Sequence, residues 1–160
     1  MKEVSHQELD RHERAILAAL QANGRLTNQE LADRVGLSAS PCWRRVKALE
    51  TQGYIRRYTA LLERRKLGLQ ECYFTLVTLH RHDGDAVEEF EAEMLRHPEV
   101  LECHAITGEG DYLLKVLAES NSAYHRFMET TILPMKCIAH IRTTISLREV
   151  KADTAIPVGA

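Results

Sequence analysis

Long apolar runs are missing from this 160-residue sequence. None approaches the roughly 20 residues that a helix needs to cross a bilayer. The N-terminus carries no signal-peptide pattern, so a cytoplasmic protein with no membrane contact is expected. Cysteine is sparse: Cys42, Cys72, Cys103 and Cys137 are scattered, with no Cys-x-x-Cys pair. Reduced thiols in helix or strand cores fit that spacing, with a thiol sensor as the alternative. The eight histidines are dispersed as well. His80, His82 and Asp83 have no fourth donor nearby, and read as surface residues at a strand end rather than as metal ligands. Nothing forms a nucleophile, base and orienting group in sequence, so neither an enzyme nor a metal or other cofactor is expected. An excess of positive charge is lacking too. The net charge of −2 argues against a general nucleic-acid binder.

The distribution of charge points the other way. Composition is that of an ordinary folded protein, 44% hydrophobic and 28% charged. The charge, however, is divided along the chain. Residues 1–66 hold 13 Lys+Arg against 8 Asp+Glu, a net of +5, and residues 67–160 hold 8 against 15, a net of −7. A basic module followed by an acidic one suggests a DNA-facing part and a part with another task.

The basic part is organised around residues 27–58. Thr27 with Glu30 forms a capping box, Leu31, Ala32 and Val35 give an apolar side, and Gly36 suits a left-handed helix end. Ser40-Pro41 opens the next helix, with serine as cap and proline at the first helical position. At about 100° per residue, Cys42, Val46 and Leu49 make one stripe. Ser40, Arg44, Lys47 and Thr51 lie opposite, with Trp43 and Arg45 on the flanks. Basic and hydroxyl side chains outside an apolar stripe suit a major groove, where arginine reads guanine and the others reach phosphates or base edges. A solvated face on a helical hairpin would show similar residues. The cap, glycine turn, Ser-Pro start and following strand together select a helix-turn-helix.

Upstream, Asp10 and Glu13 cap a first helix with Ile16, Leu17 and Leu20 inside, ended by Asn23-Gly24. Downstream, Tyr54–Tyr58 alternates as a strand and Thr59–Leu62 supplies a partner, making a wing. Arg56 and Arg57 there either touch phosphates or form a solvated basic hairpin. The expected organisation is a winged helix-turn-helix over residues 1–62, a hinge at 63–69, and an effector-binding and oligomerisation domain at 70–160. The last reads as strand 72–79, a helix after the Asp83-Gly84-Asp85 turn, strands 100–107 and 111–118, a helix capped near Ser120, and strand 138–147. The class is α+β, the second domain being a ferredoxin-like βαββαβ fold with both helices on one face. Its strands are apolar at both parities, Phe74 and Leu76 against Val77 and Leu79. Both faces therefore want cover, and no segment remains to provide it. A homodimer through the open sheet face is expected, pairing two reading helices as palindromic half-sites require.

The chain resembles the leucine-responsive regulator/AsnC (Lrp/AsnC) family of transcription factors. The resemblance is carried by Leu9-Asp10-Arg11, Asn23-Gly24-Arg25-Leu26, Val35-Gly36-Leu37-Ser38, Pro41-Cys42, Gly53-Tyr54-Ile55 and Tyr58-Thr59-Ala60. It continues through Pro98-Glu99-Val100 and Thr107-Gly108-x-Gly110-Asp111-Tyr112-Leu113-Leu114-Lys115. It implies a C-terminal effector domain of the RAM or ACT-like kind, dimers that associate into octamers, and amino-acid effectors bound between subunits near Gly108–Tyr112. Effector-response positions of the family match Thr143, Thr144 and Ile145. Read physically, the loop from Thr107 to Asp111 has two glycines for close backbone approach. Its N–H groups suit a ligand carboxylate, and Glu109 or Asp111 an ammonium group. A plain hairpin would also favour glycine and aspartate.

The expected DNA contacts are Ser38, Ser40, Pro41, Arg44, Arg45, Lys47, Thr51, Arg56 and Arg57. The expected effector contacts are Thr107, Gly108, Glu109, Gly110, Asp111, Tyr112, Thr143 and Thr144. The leading expectation is a sequence-specific regulator of double-stranded DNA that answers to an amino acid. An architectural DNA-wrapping protein and an enzyme similar to sirohaem decarboxylases are the alternatives.

Overall fold

The computed structural model describes residues 8–80 and 84–158. The chain divides into two compact units. One runs to Leu61 and takes in the chain again from Lys151; the other is Leu62–Val150.

Three helices make the first unit: α1 (Arg11–Ala22), α2 (Asn28–Val35) and α3 (Ala39–Thr51). Both expected capping boxes form. Asp10 accepts from the Glu13 N–H at 2.8 Å while Glu13 accepts from the Asp10 N–H at 2.9 Å. Thr27 and Glu30 do the same at 3.2 and 2.7 Å. Gly36 ends α2 at φ +69°, a left-handed value that suits glycine. Ile16, Ala32, Cys42 and Leu49 are fully buried where the three helices meet. The start of α3 differs from the expectation. Its N-cap is Ser38, so Ser40 and Pro41 are already inside the first turn. Proline is tolerated there because the first-turn N–H groups have no intrahelical partner.

The expected wing also differs. Among the described residues none of 54–62 is in a strand. Ile55 donates back to the Leu49 carbonyl at 3.2 Å, and Leu61 and Leu62 lie in the open. A lone two-stranded ribbon is marginal without a third partner, so alternation here did not translate into a ladder. The stretch read as a hinge holds a 3-10 turn, Arg64–Leu67, capped by Glu63 and closed by Gly68 at φ +86°. The third difference lies at the end of the chain. Arg14 donates to the Val158 carbonyl at 2.8 Å, and the Gln21 amide exchanges two hydrogen bonds with the Ile156 backbone at 2.6 and 2.9 Å. Val158 packs on the three-helix core. The tail, expected with the second domain, thus belongs to the first unit.

Asp10 also pairs with Arg45 of α3, joining α1 to α3. The Glu13 N–H and then Arg45 hold its carboxyl below the ordinary aspartate range. A depressed native pKa stabilises the fold above the ordinary range, and that stabilisation disappears as pH falls through the depressed value. Asp10→Ala is expected to cost about 1 kcal/mol in urea unfolding at pH 7. The difference from the unsubstituted protein should shrink as the buffer is taken toward pH 3.

In the second unit, β1 (Glu71–Leu79), β2 (Val100–Ala105), β3 (Tyr112–Ala118) and β4 (Ile138–Ile145) form one antiparallel sheet in the order β2-β3-β1-β4. That order is the ferredoxin-like one expected. Strands two and four stop two residues early, and strand three starts at Tyr112. The turn before α4 (Gly84–Arg96) falls partly outside the described residues. Ser120 caps α5 (Asn121–Phe127), whose last turn widens into a π-helical turn at Met128–Ile132. Tyr73, Val77 and Leu79 of β1 and Tyr112, Leu114 and Val116 of β3 pack with Phe90 of α4 and Phe127 of α5 in the core. By strand alternation, the other face carries Phe74, Leu76, Leu113 and Leu117, flanked by His104, Arg142, Thr144 and a Lys115–Glu102 pair at 2.9 Å.

Candidate DNA interface and effector loop

Helix α3 buries Cys42 and Leu49 completely and Val46 in part, which turns Ser40, Arg44, Lys47 and Thr51 outward. Its cations differ in their commitments. Arg45 is drawn back to Asp10 and Glu13, the latter at 3.6 Å. Lys47 meets Glu50 at 2.6 Å, and Glu50 also accepts from the Tyr58 hydroxyl at 3.1 Å. Thr51 donates to the Lys47 carbonyl at 2.8 Å. Ser38 is exposed and makes no side-chain cap bond, and Pro41 is half-buried. Arg44, Arg56 and Arg57 are exposed and carry no ion pair among the described residues. Trp43, half-exposed, lines a shallow groove with Leu20, Leu26, Val46 and Tyr58.

The loop from β2 to β3 is pinned to the sheet by Asp111. Its backbone N–H donates to the Val77 carbonyl at 2.9 Å, and its carboxylate accepts from the Leu79 N–H at 2.7 Å. Gly108 has φ +116°, which favours glycine. Gly110 is required for a different reason. A Cβ there would stand 2.7 Å from Leu76 Cγ and 2.8 Å from Leu76 Cδ1. Gly110→Ala is therefore expected to push the loop off Leu76 and to cost about 1–3 kcal/mol by overpacking, read as a lower unfolding midpoint of the second unit. Glu109 accepts from Arg142 of β4 at 2.8 Å.

The eight expected effector positions do not share one surface. Thr107 and Gly108 are exposed, and Glu109, Gly110 and Thr144 lie with the open sheet face. Tyr112 and Thr143 turn toward the helices. The Tyr112 hydroxyl donates to Glu91 at 2.7 Å, and burial followed by Glu91 pushes this phenol far above its ordinary range. Thr143 meets the Tyr124 hydroxyl at 2.7 Å, which meets the buried Thr75 at 2.8 Å. Arg142 was not among the expected residues, although alternation along β4 already puts it on the same side as Thr144.

No group of three or more His, Cys, Asp or Glu side chains among the described residues is arranged to hold a metal, and His82 and Asp83 lie outside them. Burial pushes the thiols of Cys42, Cys72 and Cys137 above the ordinary range. Among the described residues no helix is long and apolar enough to cross a membrane.

Two family profiles match the chain. Residues 9–56 match a winged helix-turn-helix DNA-binding family, and residues 72–156 match the Lrp/AsnC ligand binding domain. The chain belongs to the Lrp/AsnC family. Leucine-responsive regulatory proteins of Salmonella typhimurium, Klebsiella pneumoniae and Escherichia coli are each 40% identical to it over 151 residues, 94% of this chain and 92% of theirs. Among Lrp/AsnC-like structures, a transcriptional regulator from Neisseria meningitidis in complex with L-Met is 42% identical, with a TM-score of 0.90 over 94% of this chain and 97% of that one. An AsnC family regulator from Agrobacterium tumefaciens is 33% identical, with a TM-score of 0.89 over the same shares. This Lrp/AsnC protein is a DNA-binding transcriptional regulator that carries a ligand-binding domain.

Proposed function

We propose that this regulator binds specific DNA sites as a homodimer, with further assembly to octamers, and that an amino acid bound by its second unit sets its activity. The arrangement of α3 supports the DNA part most strongly. Arg45 and Lys47 are ion-paired within the unit, which leaves Arg44 as the α3 cation with no ion pair among the described residues and suits it to a base edge, with Ser38, Ser40, Pro41 and Thr51 beside it. Arg56 and Arg57 suit phosphates. An effector near residues 107–112, with Thr143 and Thr144 as neighbours, accords with the domain family and with the L-Met bound to the Neisseria protein. The open face bearing Phe74, Leu76 and Leu113 offers a second copy a self-complementary apolar surface. Control follows if the amino acid binds one arrangement of subunits better than another.

A thermal-shift screen of the twenty amino acids against the full chain tests this reading. One or a few should raise the midpoint in proportion to the logarithm of concentration above Kd. A flat response to all twenty would count against it.

A further inference from the structure

We propose that Trp43 is a DNA-backbone contact: its indole packs on the sugar–phosphate wall of the major groove, and its N–H donates to a phosphate oxygen. This assignment rests on the reading of α3 as the helix that enters DNA, and adds a contact that none of its basic or hydroxyl residues supplies. Trp43 is the single tryptophan of the chain and is 54% exposed, on a helix that buries Cys42 and Leu49 completely. An indole joins a large apolar body to one N–H donor, so it suits a place where apolar and polar groups meet. A deoxyribose beside a phosphate is such a place. The indole N–H has no acceptor among the described residues, so the donor is available.

Its place on the helix says which part of the DNA it meets. A helix with its side chains is about 10–12 Å across, close to the roughly 12 Å width of the major groove. Side chains on the outward face therefore reach the groove floor, and those on the flanks reach its walls. Trp43 lies about 100° around α3 from Arg44, between the outward face and the shallow protein groove that it lines with Leu20, Leu26, Val46 and Tyr58. Ser40 precedes it by three residues and Lys47 follows it by four, so the three make one ridge that continues the expected DNA surface. Glu50, the acid of that protein groove, is occupied by Lys47 at 2.6 Å and by the Tyr58 hydroxyl at 3.1 Å. The opposite flank offers no equivalent, because Arg45 there is drawn back to Asp10 and Glu13.

The test uses the full chain, in which one tryptophan makes intrinsic fluorescence a report on this position alone. Acrylamide should quench the DNA-free protein strongly, and the quenching should fall when the DNA upstream of its coding sequence is added. Trp43→Phe keeps an aromatic ring and loses the donor. With its far-UV spectrum kept, it is expected to bind cognate and scrambled DNA alike more weakly, on the order of 10- to 100-fold. A neutral donor releases no counterion, so the salt slope should stay as it is, unlike that of Arg56→Ala and Arg57→Ala. An indole still open to acrylamide in the complex, or already shielded before DNA is added, would overturn the assignment. So would wild-type affinity in Trp43→Phe, or a loss confined to the cognate site, which would put the indole on base edges. In each of these cases a weakened Arg44→Ala leaves α3 as the reading helix. If Arg44→Ala also binds both DNAs as before, that reading and this assignment fall together.

Discussion

Replacing Phe74 with aspartate is expected to leave each chain folded and to separate the two copies of the proposed homodimer. Phe74 lies on the sheet face opposite α4 and α5 and is already 39% exposed in the single chain. The fold therefore gives up little when this side chain becomes polar. Across from it stand Lys115 on β3 and Thr144 on β4, and the apolar Leu76 and Leu113 are one row away. Pairing two such faces buries the leucines and phenylalanines of both copies, and each aspartate then enters the interface beside a Lys115 already held by Glu102 at 2.9 Å, at several kcal/mol or more. A dimer places two α3 helices on two half-sites, so its affinity exceeds that of one helix by an effective-concentration factor of about 10²–10⁴. Phe74→Asp should thus run as a monomer in sedimentation analysis, keep its far-UV spectrum, and lose roughly that factor in operator binding. A variant that stays dimeric would place the interface elsewhere.

Arg44→Ala is expected to act on recognition without touching assembly. Arg44 is the α3 cation with no ion pair among the described residues, whereas Arg45 is tied to Asp10 and Lys47 to Glu50. A bidentate arginine–guanine contact is worth about 1–3 kcal/mol. Lost at both half-sites, it amounts to about 2–6 kcal/mol, or roughly 30-fold and upward in affinity. The loss should fall on the cognate site and scarcely on scrambled DNA. Arg56→Ala and Arg57→Ala should weaken both DNAs alike and flatten the salt dependence by about two units of slope each, one per half-site. Fluorescence anisotropy on the two DNAs across a salt series separates these outcomes. Equal losses on cognate and scrambled DNA would move Arg44 to the phosphates.

Much of this could be read from residue order. Asp10 with Glu13, Thr27 with Glu30, and Gly36 announce helix ends because capping is local chemistry within three or four residues. The four strands and two helices of the second unit follow from runs of apolar and β-branched residues between turns and from the Ser120 cap, and their order dictates the sheet. What stayed hidden depends on partners far along the chain. The wing at 54–62 has the alternation of strands but no partner strand among the described residues. The tail shows no periodicity, and its place is set by Arg14 and Gln21, more than 130 positions away. The resemblance groups the adjacent Thr143 and Thr144, yet neighbours on a strand face opposite sides. One meets Tyr124 and the other pairs with Phe74 on the open face. Arg142 meets its partners Glu109 and Leu76 only once the sheet register is set, which residue order does not show.

The most direct measurement is a binding titration of the full, unsubstituted chain on the DNA upstream of its own coding sequence and on scrambled DNA of equal length. It is run at moderate salt, with and without the amino acid that stabilises the protein. A preference of about 10³-fold or more for the upstream DNA is expected. The amino acid should change that affinity about 5- to 150-fold in one direction. Equal affinity for both DNAs, or an upstream affinity that none of the twenty amino acids alters, would contradict the proposed function.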